Sequence, residues 1–410
     1  MTEMGNNSSP DYRLRCLSLR SSHDILEVLR KVGVDPYGIE AMLPKMTNLN
    51  ILIEGVECKI ANIIKQEMLS VGGDAAVSRY AVSCGVAATD VVIMGTVKQV
   101  QRFAEKIAIQ PFKLGYLANA VKEAVSNRAK DLFVLRTCRR EMVIGDRSLV
   151  MGVINVTPDS FSDGGKFPSP AAAIEHGLKM ADEGADFIDI GGESTRPGAK
   201  PVSPREELKR IIPVVKGLSG RIDVPLSVDT TKAEVAKAAL DQGAEIINDI
   251  SALRFDDSMP KVIAENRAAV ILMHMRGTPR TMQEGDLSYS SLCGEIIHFL
   301  RQQMDRAVQS GVPPEQMMVD PGIGFGKTPG DNMKLLKHLS EFKVLGRPIV
   351  SGVSRKSFIG KVLGGEPMER GEGTAAAVVV SIMNGSNVVR VHDVGAIKKV
   401  VAMTDAIIAS

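Results

Sequence analysis

Met151 to Gly165 reads MGVINVTPDSFSDGG, and the change of character part-way along this stretch decides the fold. Leu149, Val150, Met151, Val153 and Ile154 form an apolar run. It breaks at Asn155 into a polar loop carrying Thr157, Pro158, Asp159, Ser160, Phe161 and Asp163. A buried strand that ends in an amide and opens into an acidic, glycine-rich loop presents polar groups at its carboxyl end. That is where α/β barrels and open α/β sheets bind their ligands.

The same pattern recurs downstream. Apolar runs predict strands at Leu149 to Asn155, Phe187 to Gly191, Leu226 to Asp229, Ile246 to Asp249, Val270 to His274, Met317 to Asp320, Ile349 to Ser351 and Val388 to His392. Helical periodicity lies between them, as at Ala171 to Glu183, Pro204 to Gly217, Lys232 to Asp241, Leu292 to Gln309 and Asn332 to Ser340; Val394 to Ile408 ends the chain. Eight strand-then-helix units predict a TIM (β/α)8 barrel. A doubly wound open sheet is the alternative, disfavoured because polar residues stand at nearly every strand end rather than at one switch point.

Upstream, residues 1–128 read as a smaller α+β domain. Ser22-His-Asp leads into an amphipathic helix through Ile25, Leu26, Val28 and Leu29; Ile51 to Glu54 and Asp90 to Met94 read as strands. Helical patterns cover Lys59 to Leu69, Val97 to Ile107 and Leu114 to Val125, with a bend at Gly72-Gly73-Asp74. No cluster here dictates chemistry, and the role of this domain is left open. The polar run NRAKD at 127–131 marks the boundary, so residues 129–410 form the barrel domain. It opens with a hairpin, Leu132 to Arg136 and Glu141 to Gly145, placed to close the amino-terminal mouth of the barrel.

Composition narrows the function classes. A net charge of +2 over 410 residues forecasts no nucleic-acid or membrane partner, and the absence of Trp with only 4% aromatics argues against a base-stacking platform. Five scattered cysteines (Cys16, Cys58, Cys84, Cys138, Cys293), never spaced as CxxC, fit reduced thiols in a cytoplasmic protein. The first residues lack a signal-peptide pattern, and no apolar run approaches the ~20 residues of a membrane span.

Six motifs follow in order, each at the end of an apolar run. Beyond the opening stretch they are Asp189-Ile-Gly-Gly-Glu-Ser-Thr-Arg-Pro-Gly198, Ser227-Val-Asp-Thr230, Ile247-Asn-Asp-Ile250, Asp320-Pro-Gly-Ile-Gly-Phe-Gly-Lys327, Ser354-Arg-Lys-Ser357 and Arg390-Val-His392. Together they resemble the dihydropteroate synthase family of folate biosynthesis, over about Asp146 to Ser410. The resemblance implies condensation of 6-hydroxymethyl-7,8-dihydropterin diphosphate with p-aminobenzoate to 7,8-dihydropteroate and diphosphate, Mg²⁺ as cofactor, and a homodimer through the late helices.

The resemblance also distributes roles. Asp229, Asn248, Asp320 and Lys356 become pterin contacts, with Arg390 beside them and Ile250, Met273 and Phe325 as pocket walls. A carboxylate suits a pterin because it accepts from the ring NH and the exocyclic amine together, and an amide can donate and accept along the same edge. Asn155, Thr195, Arg390 and His392 are assigned to the diphosphate, with Asn155 as the Mg²⁺ ligand. A lone amide oxygen with substrate oxygens and waters suits an ion that keeps much of its hydration. Phe161, Thr195, Arg196, Pro197, Ser354 and Lys356 are assigned to p-aminobenzoate. Asp229, Lys356, Arg390 and His392 form the catalytic set, in an SN1-like transfer with no covalent nucleophile. His176 and His274 read as structural.

Two rivals share parts of this pattern: a methyltetrahydrofolate–corrinoid methyltransferase, which has no use for a diphosphate site, and a non-catalytic pterin binder. Gly322-Ile-Gly-Phe-Gly-Lys-Thr328 imitates a nucleotide loop, but its glycines fit neither GxxxxGK nor GxGxxG, so ATP and NAD are not expected.

Overall fold

Alternate residues of each apolar run face opposite ways, and in the computed structural model this alternation wraps into a ring of eight parallel strands. The structure describes residues 13–19, 21–157, 169–195 and 198–410. The chain divides into two compact units, Met1–Val125 and Ser126–Ser410.

In the first unit, β1 (Asn48–Glu57), β2 (Asp74–Val77) and β3 (Ala88–Thr96) make an antiparallel sheet in the order β1-β3-β2. The helices Cys58–Ser70 and Val97–Ala108 supply Ile64, Met68, Phe103 and Ile107 to a core shared with Val91 and Ile93. The first helix, Ser22–Val32, is capped by Ser21 rather than Ser22, because Asp24 then stands at the third position and completes a capping box. The bend at Gly72-Gly73 leads directly into β2, and the helix Pro36–Met46, which the reading did not foresee, starts from an Asp35 cap with Pro at its first turn.

The second unit opens with the expected hairpin, β4 (Phe133–Arg136) and β5 (Glu141–Ile144). The ring follows: β6 (Leu149–Asn155), β7 (Phe187–Gly191), β8 (Leu226–Asp229), β9 (Ile246–Asp249), β10 (Ala269–Met273), β11 (Met317–Asp320), β12 (Val350–Gly352) and β13 (Val388–Val391). Neighbours pair in parallel from β6 to β11 one way and through β13 to β12 the other, and a Val319–Ile349 bridge closes the ring. The TIM-barrel expectation holds, with the limits of three strands, β10, β12 and β13, shifted by a residue.

Outward residues (Val150, Ile190, Val228, Ile247, Leu272, Val319, Val389) pack under the helices. Inward residues at the amino-terminal end (Leu149, Met151, Phe187, Ile246, Ile271, Met318, Val388) fill the bore, and the hairpin plugs it with Phe133, Leu135 and Ile144. Burying each of those three contributes about 1.5–3 kcal/mol. The helix expected at Asn332 to Ser340 runs Pro329–Lys337. Its Thr328–Asp331 capping box and first-position Pro start it earlier, and a 3-10 turn, Leu339–Leu345, follows.

Candidate active site

One layer above the apolar bore, the inward positions turn polar. Register brings Asp189 beside Ser227, Asp229 beside Asn248, and Asn155 level with Gly191 and Asp229. Arg390 reaches from β13 into this layer. Its Nε donates to Asp189 Oδ2 at 2.7 Å and its Nη2 to Asp229 Oδ2 at 2.9 Å, with Nη2 also ion-paired to Asp189 Oδ2 at 2.6 Å. Asn248 Nδ2 donates to the same Asp189 oxygen at 3.0 Å. Asp189 is fully buried and acts as the hub. Burial raises the Asp229 carboxyl to about 7, with Arg390 opposing and Asp189 reinforcing the shift.

Asp320 ends β11 almost wholly buried and accepts from Gly322 N at 2.7 Å. Burial raises its pKa, against the pull of the Gly322 amide and of Lys356. Lys356 holds its ammonium 4.1 Å above the centre of the Phe325 ring. Burial and then the nearby Arg390 lower it to about 8. Ile250, Met273 and Phe325 come together as expected, joined by Met275 and Met282 in a separate apolar cluster at the mouth. Phe325 joins this apolar cluster to Lys356.

On the opposite side, a side chain at Gly191 would touch both Asn155 Oδ1 and the Asp229 side chain, each 3.6 Å from its Cβ position. Glycine keeps that gap open. His392, just past β13, pairs through Nδ1 with Ser354 Oγ at 3.1 Å, and its amide donates to the same hydroxyl at 3.3 Å. Thr195 is half-buried on the loop after β7. Phe161, Arg196 and Pro197 lie outside the described residues. Among the described residues no three His, Cys, Asp or Glu side chains gather as a metal centre.

Residues 151–392 match the family described as pterin binding enzyme. The chain belongs to that family. It is 50% identical to the dihydropteroate synthase of Synechocystis sp., over 64% of this chain and 91% of that one. It is 40% identical to the Xanthomonas albilineans dihydropteroate synthase solved in complex with 7,8-dihydropteroate, covering 68% of this chain and 99% of that one with a TM-score of 0.60. A probable bifunctional folylpolyglutamate synthase/dihydropteroate synthase of Halobacterium salinarum is 38% identical over 91% of this chain and 44% of its own length. That coverage exceeds what the barrel unit alone supplies, so the match takes in part of the N-terminal unit.

Among these pterin-binding features the structure adds three that sequence reasoning left without a role. Asp189 was visible only as one more strand-end acid. Lys232 pairs with Glu193 and with the fully buried Glu207, while Glu193 Oε1 accepts from Val202 N at 3.2 Å. This pins the root of the loop that carries Thr195. Lys327, dismissed with the nucleotide-like loop, is buried with its amine turned onto His274. For Glu193 and Lys327 the only signal was a charged residue set among glycines.

Proposed function

We propose that the chain is a dihydropteroate synthase, joining 6-hydroxymethyl-7,8-dihydropterin diphosphate to p-aminobenzoate with release of diphosphate. The observation that carries this reading is the gathering of Asp229 and the buried Asp320 and Asn248 around Arg390 and Lys356, with Phe325 under the lysine and apolar Ile250 and Met273 beside it. Carboxylate and amide acceptors next to apolar side chains suit the donor edge and planar ring of a pterin.

In this reading Asp320 accepts from the pterin ring NH and amine, Asn248 presents its carbonyl, and Lys356 covers the ring. Arg390, tied to Asp189 and Asp229, keeps those carboxylates in place and keeps Nη1 for the ligand; among the described residues that nitrogen has no hydrogen bond. As the methylene C–O bond breaks, diphosphate leaves with the electron pair. The pterin shares the positive charge and ionised Asp229 favours it, an SN1-like path. The neutral arylamine then forms the C–N bond with its lone pair and loses a proton to solvent. The diphosphate is assigned to Thr195, His392 and Asn155, and the p-aminobenzoate to Ser354, Lys356 and Thr195 and, by the family resemblance alone, to Phe161, Arg196 and Pro197.

Asn155 fits a magnesium ion because it offers one hard oxygen donor beside Gly191, with no carboxylate cage to strip the ion of water. When bound, Mg²⁺ would neutralise charge on the departing diphosphate. A cytoplasmic homodimer completes the proposal. The helices Gly371–Met383 and Val394–Ala409 expose Met383, Met403, Ile407 and Ile408 along one shallow apolar groove, which a second copy would cover.

The test mixes purified protein with the dihydropterin diphosphate, p-aminobenzoate and Mg²⁺ and follows diphosphate and dihydropteroate together. Release that requires p-aminobenzoate, with matching dihydropteroate, is expected. Release without p-aminobenzoate, or no turnover, overturns the assignment.

A further inference from the structure

The Gly322–Lys327 loop looks like a phosphate cradle in sequence, yet its lysine faces the wrong way for one. Lys327 is 2% exposed, and its Nζ donates to Gly322 O at 2.9 Å, Phe325 O at 2.9 Å and His274 Nδ1 at 3.0 Å. His274 O lies 3.4 Å away as a fourth acceptor, so the buried amine is enclosed by partners from its own chain with nothing left for a ligand. Burial lowers its pKa to about 7, against the pull of Asp320. His274 is neutral, with its Nδ1 against the amine. Burial, with Lys327 and the nearby Arg254 and Arg276, pushes that imidazole down to about 2.

We infer that Lys327 is a positioning residue for the pterin, stapling the glycine loop whose Phe325 and Asp320 line the pocket; this rests on the synthase reading above. The loop needs a staple. Gly322, Gly324 and Gly326 all have left-handed backbones, with φ of 70°, 86° and 66°, and glycine otherwise samples many other conformations. A Cβ at Gly322 would lie 1.8 Å from His274 O, so larger residues cannot replace the staple with stiffness.

Other ties reach the loop from outside: Asn332 Oδ1 accepts from Gly324 N, Gln283 donates to Gly324 O, and Tyr289 OH donates to Gly326 O at 3.0 Å. Within the loop Phe325 N donates to Gly322 O at 3.1 Å, and Lys327 adds a buried side-chain tie to the Gly322 and Phe325 carbonyls and to His274 just past β10. The pocket feels the outcome in three places. Gly322 N caps Asp320, Phe325 lies under Lys356, and the Cβ position of Gly324 is 3.0 Å from Lys356 Cδ.

The test compares wild type with Lys327→Met, measuring dihydropterin diphosphate binding by calorimetry, steady-state constants and thermal melting. A displaced wall should weaken pterin binding by about tenfold or more, as small misplacements do. The KM for p-aminobenzoate at saturating pterin should stay within about twofold, since the loop faces the pterin. His274→Ala keeps the lysine and removes one acceptor; it provides the readout if Lys327→Met does not fold, with a several-fold loss expected. Folded variants with wild-type pterin affinity overturn the inference. So does a fall in kcat and melting temperature with both substrate constants unchanged, the signature of a merely structural lysine. Wild-type turnover run alongside judges the synthase reading separately: its absence rejects that reading, while pterin affinity still judges Lys327.

Discussion

Asp320→Asn separates binding from folding more sharply than any other single change. The asparagine can keep its Oδ1 on the Gly322 amide, now at 2.7 Å, so the loop retains its cap. Its Nδ2 then stands where a pterin donor should arrive, and two charge-assisted hydrogen bonds give way to a donor facing a donor. Hydrogen bonds to charged groups contribute about 1.5–3 kcal/mol each, so a loss of about 3 kcal/mol is a moderate expectation, roughly 150-fold in Kd. The empty protein should respond the other way. Burial raises the Asp320 pKa, so the folded state disfavours the carboxylate; that cost begins as pH passes the unfolded value and is complete once pH has risen through the folded one. Removing the charge should leave the neutral-pH melting temperature unchanged or higher. Calorimetric titration with the dihydropterin diphosphate and a thermal melt read both quantities. Pterin affinity within about twofold of wild type, or a melting temperature several degrees lower, would refute the reasoning.

Arg390→Met strands Asp189 and Asp229, and breaking a buried ion pair from one side costs about 3–5 kcal/mol; denaturant melts should register the loss, and Asp189→Asn added to it should restore part. The pH profile of kcat/KM should rise near 7 as Asp229 ionises and fall near 8 as Lys356 loses its proton. Asp229→Asn should remove the rising limb, and a flat wild-type profile between pH 6 and 9 would contradict this assignment of the limbs. Chelation should stop p-aminobenzoate-dependent turnover while sparing binding of a pterin without diphosphate, and Asn155→Ala should raise the Mg²⁺ concentration needed for half-maximal rate about tenfold or more, in line with the loss of a metal-site group. Met403→Glu with Ile407→Lys should convert a dimer to a monomer in sedimentation, since both residues stand exposed in the apolar groove.

The sequence alone determined the barrel and the strand ends at its mouth, because periodicity and order are local and each strand announces its own polar end; Ile250, Met273 and Phe325 were named together only through the family resemblance. Its family resemblance was legible for the same reason: the motifs are contiguous. Asp189 illustrates what was not. Its role depends on Arg390 and Asn248, which lie 201 and 59 residues away, and only the closed ring brings them to one oxygen. The ties of Lys232 to Glu193 and Glu207, and of Lys327 to His274, likewise join different strand-and-helix units. A lysine among glycines carries no local sign of whether it faces a phosphate or its own backbone. Tertiary packing decides, because burying an ammonium is tolerable only where acceptors from separate segments converge on it.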